Sequence, residues 1–325
     1  MERELTHRQR YAWMLASGLM PAIVRASNCA WQWTLLGCAM AAVYYIIVWL
    51  LSETNESLGR ILIDKWGKPG KIILALAAAW TVLAASRAAS GAVDAFPNGK
   101  ETVLCVPVLI ALCAYGAWKG SCAGARASGV LAPLLAAMLI ALLLTAAGQV
   151  RLRWCQVWGE LENSFGIFSS LLLPSAALFL PCKAEKRKFP VLLFAALLLL
   201  PTAVSLICTG VLGANVVAEE AVPFYTLGQS ISLKGVMPRM EPLVSVLLYP
   251  AYFCAALLLV VSARTVIEQI AEKKMPVLCI LLGAGIYALS FAITAIPIAF
   301  FDISAAIFWG ILPLVTQFVE PAKKV

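Results

Sequence analysis

The sequence has a single histidine, His7, and it stands ahead of the first apolar run. Ser–His and Cys–His nucleophilic pairs and His-ligated metal centres therefore have no base or ligand within the apolar body of the chain. There are ten cysteines but no Cys-x-x-Cys spacing, so neither a zinc knuckle nor a dithiol redox motif is expected. Charge is scarce too: Asp, Glu, Lys and Arg make up 13% of 325 residues, against 62% hydrophobic residues and a mean hydropathy of +0.89. Soluble domains average about 25% charged and roughly 45–50% apolar residues. That balance excludes a soluble enzyme and a nucleic-acid-binding protein. Paired acids and phosphate-cradling loops are missing as well, so no catalytic residue, cofactor or metal is expected.

What the chain has in abundance is long apolar runs. A helix crossing a bilayer needs about 20 mostly apolar residues, and such runs lie near 10–26, 29–51, 71–92, 102–118, 127–148, 162–182, 189–213, 241–263, 275–294 and 297–318. They are continuously apolar, as over 131–144, rather than alternating as barrel strands would be. The expectation is an all-α membrane protein with ten transmembrane helices. It forms one integral-membrane domain over 1–325, embedded in the lipid bilayer. Of 25 Lys and Arg, 18 fall in alternate connectors that include both ends of the chain. By the positive-inside rule both termini are then cytoplasmic. Seven of the cysteines (29, 38, 105, 113, 208, 254, 279) fall inside spans, where they act as small hydrophobes. No structural disulfide is expected.

Ten spans divide into two fives, about residues 9–148 and 162–318, and inverted-repeat permeases break the first helix of each half near mid-membrane. Interruptions occur in corresponding places. Span 1 carries Ser17-Gly18-Leu19-Met20-Pro21, and span 6 carries Pro174-Ser175 preceded by Ser169 and Ser170. Broken helices at spans 1 and 6 would offer N–H groups near Gly18 to a carboxylate and carbonyls near Ser175 to an ammonium. In span 8, Ser245 and Tyr249 share a face with Glu241. The expected pocket lies between spans 1, 6 and 8, its ligand-binding residues Ser17, Gly18, Met20, Pro21, Ser169, Ser170, Pro174, Ser175, Ser245 and Tyr249.

Charged residues inside spans carry gating or structural roles. Arg87 sits near the far end of span 3, either snorkelling to the headgroups or facing the vestibule, and Asp302 is either an interfacial cap or a pocket acid. Arg239 and Glu241 open span 8; two residues apart on a helix, they are not expected to pair, and Arg239 is expected to anchor a lid formed by 214–240. Glu160, Glu162, Glu219 and Glu220 form a solvated acidic rim. The aromatic sets Trp31, Trp33, Tyr44, Tyr45, Trp49 and Trp154, Trp158 read as interfacial belts.

Several stretches in order along the chain resemble the endospore germination permease family, the B-type permease-like subunits of nutrient germinant receptors in the amino acid–polyamine–organocation superfamily. They are Leu5-Thr6-His7-Arg8-Gln9 with Gly18 and Pro21, Ala30-Trp31, Leu58-Gly59-Arg60 through Trp66-Gly67-Lys68-Pro69-Gly70-Lys71, Leu178-Phe179-Leu180-Pro181 with Lys183, Lys186 and Lys188, and Phe224-Tyr225 through Pro238-Arg239-Met240-Glu241. The family's span 6 break reads Gly-aromatic-Glu, whereas here Leu173-Pro174-Ser175-Ala176 has no carboxylate. The resemblance implies a five-plus-five inverted-repeat fold and sensing of a small nutrient such as an amino acid. It also implies the inner spore membrane, or a cell membrane, as the location, and an A-type membrane subunit and a C-type lipoprotein as partners. The alternative within the same fold is a secondary active amino acid transporter.

Overall fold

The computed structural model describes residues 5–51, 56–96, 102–155, 161–183, 191–232 and 239–318. Among them are fourteen α-helices. They are α1 (His7–Ser27), α2 (Trp31–Leu51), α3 (Leu58–Trp66), α4 (Lys68–Gly91), α5 (Thr102–Lys119), α6 (Ser121–Ala147), α7 (Glu162–Leu171), α8 (Val191–Leu212), α9 (Ala214–Glu219), α10 (Pro223–Ser230), α11 (Glu241–Ala271), α12 (Leu278–Ala292), α13 (Ile298–Ala305) and α14 (Leu312–Phe318). A 3₁₀ segment, Leu173–Phe179, continues α7, and a π-helical segment, Ala306–Ile311, joins α13 to α14. The ten expected spans map onto α1, α2, α4, α5, α6, α7 with its 3₁₀ extension, α8, α11, α12, and α13 through α14. Lys186, Arg187, Lys188, Lys100, Lys234, Pro238, Trp158 and Glu160 lie outside the described residues.

Seven of these helices are long and apolar enough to cross a membrane, and Leu104–Lys119 is a shorter apolar one. Of the ten, α1 and α7 are the polar ones, and their surroundings explain why. α1 packs on α6, α7, α8, α11 and the 3₁₀ segment, so it meets protein rather than lipid and tolerates Ser, Gly and Arg. α11 is the central pillar, with 78% of its most apolar window buried, and it packs on α1, α4, α5, α6 and α12.

Local chemistry sets the helix ends. Thr6 and Gln9 form a reciprocal capping box at the start of α1: the Thr6 hydroxyl accepts from Gln9 N–H, and Gln9 Oε1 accepts from Thr6 N–H. Gly67 turns the chain at φ +59°, a conformation that excludes most side chains, and Pro69 opens α4 directly after it. Leu5 forms an isolated parallel bridge with Cys182, and Arg10 donates to the Leu180 carbonyl at 2.6 Å, so the start of α1 is tied to the end of span 6.

Two expectations are corrected here. Span 1 is not interrupted: α1 runs unbroken through Ser17–Pro21 with Pro21 inside it. Pro21 removes only the N–H that the Ser17 carbonyl would have used, and packing on α6, α7, α8 and α11 holds the helix in register. Tyr44 and Tyr45 are not belt residues; both are buried. Over 214–232, part of the segment read as a lid, α9 and α10 fold, and Phe224, Leu227 and Ile231 are buried, with α10 packed on α8 and α11.

Candidate functional site

Span 6 breaks where the sequence places Pro174. The α-helix ends at Leu171, and Pro174, lacking an N–H, is the second residue of the 3₁₀ segment that begins at Leu173. A helix end leaves carbonyls without intrahelical donors, and α2 supplies one. Tyr45 donates its hydroxyl to the Leu171 carbonyl at 2.6 Å, and Ser175 donates to the Tyr45 oxygen at 3.4 Å. The adjacent Tyr44 donates to the Trp309 carbonyl at 2.5 Å, inside the π segment of span 10. One Tyr-Tyr step on a regular helix thus stabilises both irregular ones, and π segments in helices frequently mark functional sites.

Between these irregular helices lies a cavity of about 1000 Å³. Its walls include Pro21, Val24 and Arg25 of α1 with Asn28 directly after it, Trp80, Ala84 and Arg87 of α4, and Ser169, Ser170 and Leu173 at the span 6 break. Tyr252 of α11, Phe301, Asp302, Ala305 and Trp309 of span 10 and Ala221 between α9 and α10 also line it, as do Val106 and Pro107 of α5 and Tyr287, Ser290 and Phe291 of α12. It is formed by the C-terminal turns of α1 and α4 and the start of α13, so it lies in the half of the bundle away from the chain's N-terminus.

Its strongest interaction joins α1 to α13. The Arg25 guanidinium pairs with the Asp302 carboxylate, whose side chain is 13% exposed. Ser169 donates a second hydrogen bond to that carboxylate at 2.5 Å. Gly166 makes the seat: a Cβ there would overlap the Arg25 guanidinium. Removing either partner leaves a charge in a site of low dielectric, which is costly. Beside the pair, Trp80 is the hub of an aromatic group, its ring centroid 5.5 Å from Phe301, 5.6 Å from Trp309 and 6.1 Å from Phe308. Arg87 lies over the Phe301 ring at 5.9 Å.

The residues singled out from sequence divide into two groups. Pro21, Ser169, Ser170, Arg87 and Asp302 line the cavity. The others serve helix packing. Ser17 and Met20 are fully buried, Ser17 bonding back to the Met14 carbonyl, and Gly18 lies directly against Pro174. Ser245 donates to the Ala95 carbonyl at 2.6 Å, and Tyr249 to the Cys105 carbonyl at 3.0 Å. The expected face of α11 does reach the cavity, but through Tyr252, a turn deeper. Arg239 and Glu241, expected not to pair, are 3.9 Å apart. The reason is that Arg239 precedes the helix, which begins at Glu241, so helical spacing does not govern the two. With Arg239 67% exposed, this is a surface pair of little weight.

Sequence reasoning passed over Arg25, Asn28, Trp80, Phe301 and Trp309. A signal existed for Arg25, an arginine within an apolar run whose natural partner is an acid in another such run. The aromatic residues carried none, since their shared wall depends on how α4 and span 10 pack.

No protein-family model and no curated protein matches the chain. Among solved structures, it is similar to Mhp1, a nucleobase-cation-symport-1 family transporter in a closed conformation with bromovinylhydantoin bound. The TM-score is 0.65 at 15% sequence identity, covering 97% of this chain and 78% of that one. The chain has a membrane-transporter fold. The all-α permease architecture expected from the apolar runs is therefore present over nearly its full length, though the similarity itself says nothing of the germination family.

Proposed function

We propose that the protein is a permease-like membrane protein whose small organic ligand occupies the cavity between α1, α4, the span 6 break, α11 and span 10. One observation carries this reading: the cavity borders both helices whose hydrogen-bonding pattern changes mid-span, and an ion pair joins α1 to one of them across it. A regular helix is stiff, whereas a break lets its two halves move separately. Ligand that bears on Ser169, Ser170 and Asp302 favours one arrangement of the Arg25–Asp302 contact over another, and so shifts the population of conformers. The neighbouring fold belongs to a transporter with a small molecule bound, in keeping with this use of the cavity. The two halves, about 9–148 and 162–318, are then inverted repeats, with both termini cytoplasmic and the cavity facing outward.

Within that reading, we favour the permease-like subunit of a spore nutrient germinant receptor over a stand-alone secondary transporter. The support is the ordered resemblance over residues 5–250. Its nutrient is then a small organic molecule, and its partners an A-type membrane subunit and a C-type lipoprotein. Reconstitution decides between the two. Flux of labelled solute by the purified chain alone would favour the transporter; a nutrient response that needs co-purified partner subunits would favour the receptor.

A further inference from the structure

Taking the cavity as the ligand site, its charges and donors define the ligand. Arg25 and Asp302 neutralise each other. Arg87 is left as a cation, because among the described residues no carboxylate pairs with it and its contact is the Phe301 ring. Two further donors stand without acceptors: the indole N–H groups of Trp80 and Trp309, both buried residues that line the cavity. Buried polar groups are normally satisfied; these two have no acceptor among the described residues, and neither nitrogen is open to the cavity as it stands. On the acceptor side, Asp302 accepts from Arg25 and Ser169, and its charge is balanced by Arg25. Asn28 Oδ1 is the one buried cavity side-chain oxygen without a partner among the described residues.

We infer that the ligand is an organic carboxylate without a compensating ammonium, its carboxylate paired with Arg87 and its apolar body against Phe301 and Trp80. A carboxylate only accepts hydrogen bonds and matches a guanidinium fork. An ammonium brings three donors and a positive charge, and the one carboxylate in the cavity lining, Asp302, is already balanced by Arg25, which leaves an ammonium facing the unpaired Arg87. The volume, about 1000 Å³, leaves room for a ring or a branched chain beyond the carboxylate.

The test uses the full-length protein in lipid nanodiscs, with binding read from the thermal midpoint as a function of probe concentration. Phenylacetate, its neutral isostere phenylacetamide and the zwitterion phenylalanine are compared, with decanoate as a membrane-borne acid. The inference expects a carboxylate to bind at least about tenfold more tightly than the amide and the zwitterion. That preference should vanish in Arg87→Gln and weaken but persist in Arg87→Lys. Binding of phenylacetate marks a soluble acid as the natural class, and binding of decanoate alone marks a lipid-derived one. Equal or tighter binding of the amide or of phenylalanine overturns the inference, as does a carboxylate preference that survives Arg87→Gln, or no binding of any probe. A space-filling Ala84→Leu separates this from failure of the site. If it blocks a neutral probe, the cavity stands and only the charge assignment falls; if every probe binds as before, the cavity is not the ligand site.

Discussion

Gly18 of α1 lies against the ring of Pro174, in the first turn of the 3₁₀ segment that continues span 6; a Cβ on Gly18 would overlap Pro174 Cγ. The two interruptions visible in the sequence therefore meet. They meet as a tight helix–helix contact, because small residues let membrane helices approach closely, and not as two facing breaks. Gly18→Ala should lower stability by about 1–3 kcal/mol, since a proline ring has little freedom to move aside. Gly148→Leu is the control, with nothing within 4 Å of an added Cβ. Thermal midpoints of the two variants in detergent check this; equal midpoints would remove the contact from the list of constraints.

The Tyr44 and Tyr45 hydroxyls should each be worth about 1–3 kcal/mol, because Tyr→Phe leaves a buried carbonyl, that of Trp309 or Leu171, without a donor. The two bonds end on different helices, so the losses should add within about 0.5 kcal/mol. Denaturation of both single variants and the double variant measures it. A double variant no worse than one single variant would mean that the two helices respond as a unit.

Much of this was legible in the sequence, and where it failed the reasons differ. Ten spans follow from apolar runs alone, since bilayer thickness fixes their length. The span 6 break was legible because Pro174 carries the cause in its own covalent structure. The apparent break at Ser17–Pro21 misled, because Pro21 sits within a helix that its neighbours hold straight, and those neighbours lie over a hundred residues away in the chain. Tyr44 and Tyr45 looked like an interfacial belt since aromatic residues near helix ends usually are; their role depends on the carbonyls of Leu171 and Trp309, which no pattern within 31–51 encodes. The cavity was half legible for the same reason: Asp302 and Arg87 stand out by charge, but Trp80 and Trp309 only by packing.

Orientation rests on the distribution of basic residues. Reporters fused after Lys68 and Lys273 should be cytoplasmic and one after Gln229 external, since 18 of 25 Lys and Arg lie in alternate connectors. Labelling of residues 68 and 229 on the same side would break the span assignment between α4 and α10.

Arg239→Ala should leave abundance and thermal midpoint unchanged within about 0.5 kcal/mol. The residue is 67% exposed and its partner lies at the outer limit of an ion pair, 3.9 Å away; exposed pairs contribute little once solvent screens them. A fall in abundance would restore the anchoring role expected for it from sequence.

Arg25 and Asp302 allow the sharpest test of the proposed mechanism. Asp302→Asn leaves Arg25 without its counter-charge and Ser169 with a weaker acceptor, while Arg25→Gln leaves a carboxylate in the cavity wall with one hydroxyl donor. Each single variant should therefore lose more stability than the double variant, in which no charge is stranded. The pair is partly exposed, Arg25 at 33%, so the coupling is expected at about 1–2 kcal/mol, below that of a fully buried pair. Stability and ligand response should then part company. If the pair also holds α1 to span 10 across the cavity, the double variant should fold nearly as well as the parent and yet show an altered conformer balance, read as changed reactivity of a cysteine introduced at Ser170. A double variant with parental reactivity at that position would reduce the pair to a structural tie, and the cavity would need another element to close it.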